Sequence, residues 1–222
     1  MNMETRQTVM AAEQDYNASF HKLMRMFTLS ILVAFVGTFV GTHVPPALFL
    51  PLIVINIGML IASIFIRRKG KAIGYGFVYA FVFISGITIY PAIAHYAGIG
   101  GAGIVHAAFI LTVLIFGGLT LYAYNSKRDF SFLGGFLMVG ICALIGFSLI
   151  GFFVPAMHTG ALGLTIGFFG VLVFSGFILY DISQYKHGLP DEMIPLAVLS
   201  LYLSFINLFL YLLQILGILS DD

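Results

Sequence analysis

Four long stretches of this chain carry no charged residue at all: 26–66, 72–126, 130–180 and 193–220, of 41, 55, 51 and 28 residues. All 19 charged residues fall in five clusters around them: Glu4–Arg25, Arg67–Lys71, Lys127–Asp129, Asp181–Glu192 and the terminal pair Asp221 and Asp222. A helix needs about 20 apolar residues to cross the hydrocarbon core of a membrane. The first three stretches each have room for two such helices and the last for one. The pattern therefore predicts an all-α polytopic membrane protein with seven transmembrane helices. At 9% charged and 60% hydrophobic residues, the chain lies far from soluble domains, which carry roughly a quarter charged residues. A net charge of +1 offers no basic surface to a phosphate backbone, which excludes nucleic acid as a partner. The partner that this composition demands is the lipid bilayer.

Each of the first three stretches breaks near its middle, as a helical hairpin requires. The breaks are His43-Val44-Pro45-Pro46, Gly98-Ile99-Gly100-Gly101-Ala102-Gly103 and Pro155-Ala156-Met157-His158-Thr159-Gly160; paired prolines stop a helix and glycines loosen one. Spans are expected near 24–44, 47–66, 72–95, 104–124, 130–153, 161–180 and 193–219. This divides the chain into an N-terminal segment, 1–23, and a seven-helix transmembrane domain, 24–222. All ten Lys and Arg lie in the N-terminal segment or in the loops after the second, fourth and sixth spans. By the positive-inside rule the N-terminus is cytoplasmic and the C-terminus outside. The first 23 residues are polar and mixed in charge, and no A-x-A site follows the first span, so no removable signal peptide is expected.

Polar side chains are costly in lipid, so their positions carry information. In the seventh span Ser200, Ser204, Asn207, Tyr211 and Gln214 recur at spacings of four, three, four and three, which puts them on one narrow helical face. Two readings of this stripe stand side by side. It hydrogen-bonds to neighbouring helices, or it lines a solvated path; on either, the seventh span is surrounded by protein. Gly163, Gly167 and Gly170 in the sixth span, and Gly37 and Gly41 in the first, are small-residue faces for close packing. Asp181 closes the apolar run Phe177-Ile178-Leu179-Tyr180-Asp181. It is read either as a boundary residue in cytoplasmic water or as a desolvated carboxylate able to sense cytoplasmic pH.

No constellation supports catalysis. H-E-x-x-H, a nucleophile elbow and a P-loop are absent, and Cys142 stands alone. Tyr180-Asp181 and Gly188-Leu189-Pro190-Asp191 resemble the motifs of intramembrane aspartyl proteases, but they lie ten residues apart across one loop. Aspartyl proteolysis needs two carboxylates that share a proton. His43, His95, His106 and His158 are scattered singly near the expected exterior ends, so no metal site and no cofactor is expected.

Several segments together resemble the Bax inhibitor-1, or transmembrane Bax inhibitor motif, family. They are Lys127-Arg128-Asp129-Phe130-Ser131-Phe132-Leu133-Gly134-Gly135, Gly86-Ile87-Thr88-Ile89-Tyr90-Pro91, Ile178-Leu179-Tyr180-Asp181 and Leu199-Ser200-Leu201-Tyr202-Leu203-Ser204-Phe205-Ile206-Asn207-Leu208-Phe209. The short N-terminus resembles bacterial members. The resemblance implies a bacterial inner-membrane protein whose seventh helix is central among the other six, and a pH-sensitive calcium leak, calcium being the transported ion. In the family, an aspartate ending the sixth helix and one in the seventh share a proton and latch the cytoplasmic end of the pore. Asp181 matches the first; the second falls on Ser204, so the pair is broken here. Asn56 falls where some calcium-conducting relatives carry glutamate. Bacterial members with serine at the position of Ser204 include a modulator of the FtsH protease. The resemblance thus implies a leak channel gated at Asp181 and Ser204, with Ser200, Asn207, Tyr211 and Gln214 along the path. Its alternative is a non-transporting partner of a membrane protease complex.

Overall fold

The computed structural model describes residues 3–69, 71–154, 157 and 159–221, with side chains described from residue 17 onward except 152 and 221. Pro155, Ala156 and His158 of the expected third break lie outside the described residues. The described chain is helical, without strands: α1 Met3–Gly41, α2 Pro46–Arg68, α3 Tyr75–Asn125, α4 Leu133–Phe153, α5 Gly160–Tyr185, a 3-10 turn Asp191–Met193, and α6 Ile194–Asp221. Among the described residues, six helical segments are long and apolar enough to cross a membrane.

Local chemistry explains most of the boundaries. Pro45 precedes α2 and Pro46 occupies its first turn, where a missing N–H costs nothing. Arg67 and Arg68 fill the last turn of α2 and complement its dipole. Before α4, Asp129 accepts hydrogen bonds from the Ser131 N–H at 2.8 Å and the Ser131 hydroxyl at 2.9 Å. Phe130 tucks in beside this turn at 7% exposure, its ring 5.9 Å from that of Tyr122.

Two expected boundaries move, and one expected break is found. The first helix begins at Met3 and not near 24. Residues 3–23 contain no Gly or Pro and are rich in Met, Ala, Glu and Gln, so nothing breaks the helix where apolarity ends. The fifth helix continues past Tyr180 to Tyr185. Within α3, two helices meet at a kink whose one non-helical residue, Gly101, at φ 76° and ψ 176°, lies inside the expected break 98–103. That φ is accessible to glycine and strained for any other residue.

The chain forms two compact units. One comprises Met1–Tyr90 with Tyr185–Tyr202, the other Pro91–Gln184 with Leu203–Asp222. In the first, α1 and the start of α3 pack through Gly37 and Gly86. A Cβ on Gly86 would collide with the Ala34 carbonyl, and one on Gly37 with the Phe83 carbonyl. Thr38 donates to the Gly86 carbonyl at 3.1 Å. In the second, α5 meets α6 through Gly167 and Gly170, which face Ile215 and the Tyr211 ring. Gly140 and Gly176 let α4 and α5 approach through Val173 and Leu137. Of the most apolar part of Asp191–Ser220, 61% is buried, against 6–33% for the other five candidate spans.

Candidate functional site

Asp181 lies inside α5, four residues before its end, and is 4% exposed. The carboxylate is thus buried within the protein. Ile182, fully buried, follows it, and Ser183 donates to the Tyr180 carbonyl of the same helix at 2.8 Å. Tyr180, the preceding residue, rests against Gly134 of α4, where a Cβ would sit 3.2 Å from its ring. The glycine in the Phe130–Gly135 segment thus lets α4 approach α5 beside the aspartate.

Ser204 is 3% exposed and belongs to the same compact unit as Asp181. Asn207, Tyr211 and Gln214 also fall in that unit, whereas Ser200 falls in the other. The stripe is therefore uneven along α6: Ser204 and Gln214 are buried, while Ser200, Asn207 and Tyr211 are half-buried. Gln214 donates through Nε2 to the Gly163 carbonyl of α5 at 3.1 Å. The Tyr211 ring lies over Gly170 and stacks on Phe174, centroids 5.9 Å apart. These two residues join α6 to α5, as the packing interpretation of the stripe expects. Asn207 donates to the Leu203 carbonyl of its own helix at 2.8 Å.

Asn56 reaches from α2 to α3, its amide nitrogen 3.3 Å from the Phe81 carbonyl. Among the described residues, no three His, Cys, Asp or Glu side chains come together as a metal-binding group.

Sequence reasoning missed a contact on the loop before α6. Lys22 of α1 pairs with Asp191 at 2.8 Å, and the Leu189 N–H donates to the Ser19 hydroxyl at 3.2 Å. These contacts join α1 to a loop about 170 positions away, and no local pattern announces such a pairing. Asp191, one of the two aspartates of the protease-like motif pair, is thus engaged with a lysine.

The sequence comparisons agree with this architecture. The family model described as "Inhibitor of apoptosis-promoting Bax1" matches residues 17–221. The chain is 40% identical to Bax inhibitor 1 of Schizosaccharomyces pombe over 67% of its own length, spanning about half (53%) of that relative. It is 35% identical to an uncharacterized membrane protein of Vibrio cholerae, covering 90% of this chain and 87% of the other. With mouse protein lifeguard 4 it shares 30% identity over 89% of this chain and 80% of that one. With a helical architecture apolar enough for membrane crossing and a family match along nearly its whole length, the chain belongs to the Bax inhibitor-1 family.

Proposed function

We propose that the protein is a cation leak pathway, with calcium as the transported ion, whose opening responds to cytoplasmic pH through Asp181. The observation that carries this reading is a carboxylate buried to 4% exposure inside an apolar helix. Ionisable groups at membrane depth are expensive and are retained where ions or protons move. Ser204, equally buried in the same unit, supplies a hydroxyl at the position of the family's second aspartate. The half-buried Ser200 and Asn207 would wet the path beyond it.

On this reading the chain crosses a bacterial inner membrane seven times, N-terminus inside and C-terminus outside, with α6 central. At about 1.5 Å per residue a 51-residue helix is roughly 75 Å long, more than twice the hydrocarbon thickness. Gly101 then divides α3 into two crossings. Calcium prefers several oxygen ligands, carboxylates among them. With Asn56 and Ser204 at two positions where relatives carry acids, conduction is passage past hydroxyls and amides with one carboxylate at the gate.

The test is calcium flux into liposomes carrying the purified protein, between roughly pH 5 and 8. Flux above that of empty liposomes and dependent on pH is expected; flux equal to theirs would sink the channel reading. In that case the second reading stands, a non-transporting partner of an FtsH-type protease complex. The feature that favours it is the polar helical extension of α1, residues 3–16, ahead of the span Asn17–Gly41.

A further inference from the structure

α2 is the span least covered by protein: 6% of its most apolar part is buried, and Ser63 is its one buried residue. Along its second half Gly58, Ile61, Ala62, Phe65 and Ile66 recur at spacings of three, one, three and one, which puts them on one face. Together with Lys69 and Lys71 they line a groove of about 530 Å³, within the roughly 300–1,000 Å³ of small-molecule sites. A Cβ on Gly58 would meet nothing within 4 Å, so the floor is open there. Beyond the helix the chain folds back on it. The Lys69 N–H donates to the Phe65 and Ile66 carbonyls, each at 3.2 Å, and the Lys71 N–H to the Ile66 carbonyl at 3.1 Å. Both lysines are thereby held at the end of the apolar groove, and both are exposed. Arg67 and Arg68 stand beside them in the last turn of α2, and no acidic residue occurs in the sequence between Asp15 and Asp129.

We propose that this groove binds one anionic phospholipid, its phosphate at Lys69 and Lys71 and an acyl chain along Gly58, Ile61, Ala62 and Phe65. Charge complementarity selects the occupant. An apolar face alone accepts any lipid tail or apolar helix. A basic end joined to it calls for a negative group carried on hydrocarbon, and basic pockets at the membrane surface hold anionic headgroups in this way. The length agrees. Ile66 lies eight residues beyond Gly58, roughly 12 Å along the helix, which is most of the ~15 Å of hydrocarbon in one leaflet. On the orientation proposed above this is the cytoplasmic leaflet, whose surface is negatively charged.

Electron paramagnetic resonance of spin-labelled lipids tests this on the full chain reconstituted in phosphatidylcholine. Spin-labelled phosphatidylglycerol should be immobilised on the protein several-fold more than spin-labelled phosphatidylcholine; equal immobilisation would overturn the proposal. The double variant K69Q/K71Q should lose most of this preference. K127Q/R128Q removes the same charge from another loop and should keep it; an equal loss there would mark a general attraction to basic loops and overturn the site. Gly58→Leu fills the open floor without touching a charge and should also lower the preference, and an unchanged value would remove the acyl chain from the groove. All these positions are exposed, so each variant should keep the wild-type Tm. Inorganic phosphate should leave the preference as chloride of equal ionic strength does; displacement by phosphate alone would make this a site for the free anion and overturn the lipid. None of these readouts depends on ion flux. A conducting protein without the preference refutes the lipid site alone, and a non-conducting one that keeps it refutes the channel alone.

Discussion

On the proposed channel reading, one buried carboxylate, Asp181, stands with one buried hydroxyl, Ser204, at the gate. With one ionisable group the pH response should be shallow. Ser204→Asp restores a second carboxylate in the same compact unit. Two carboxylates within hydrogen-bond reach repel and titrate as a coupled pair. Calcium flux against pH should therefore become steeper in S204D, and D181N should flatten the curve in both backgrounds. A curve unmoved by S204D would show that the two positions do not face each other. The Lys22–Asp191 pair is different in kind. Its side chains are 39% and 74% exposed, and exposed pairs contribute little to stability.

The helices turn and touch at glycines for two different reasons, and substitution separates them. Gly101 has open space around a Cβ but a φ of 76°, so Gly101→Ala meets backbone strain and no clash. Its expected cost is about 1–3 kcal/mol, read as a lower midpoint of thermal unfolding. Gly86 has ordinary helical geometry, but a Cβ there would collide with the backbone carbonyl of Ala34. Backbone cannot rotate away as a side chain can, so Gly86→Ala must separate α1 from α3. Overpacking of this kind costs about 1–3 kcal/mol. It should also weaken the Thr38 bond to the Gly86 carbonyl. Hydrogen exchange distinguishes the two: G86A should lose protection in α1 near Ala34, and G101A should lose it only around the break in α3. G101A with unchanged stability would show that the left-handed conformation at Gly101 is not held by the fold.

At the scale of the whole chain, topology and the N-terminal extension are testable together. Cysteines introduced at Thr159 and Ser126 of a protein whose Cys142 is replaced should label from the exterior and from the cytoplasm respectively. Exterior labelling at Ser126 but not at Thr159 would reverse the assignment. Deleting residues 2–16 leaves Ser19, Phe20 and Lys22 with their contacts to the loop before α6 and within the core. Flux should be unchanged while association with a protease partner weakens; loss of flux in a folded protein would tie the extension to the pore. The helical membrane architecture, its charge-bearing loops and its family were legible in the sequence. Four uncharged stretches leave the chain no soluble alternative, and the segments around Asp129, Asp181 and Ser204 keep their residue types in order. Helix starts were legible where a proline or glycine enforces them, as at Pro46 and Gly101, and illegible at Met3, because polarity ends a span without ending a helix. The stripe on α6 was visible as a period, but its division was not. Burial of Asp181, the bond from Gln214 to Gly163 and the pairing of Lys22 with Asp191 all depend on residues distant in the chain. Local sequence sets which faces are polar. Which of those faces meets a partner depends on how the helices pack, and only the tertiary structure decides that.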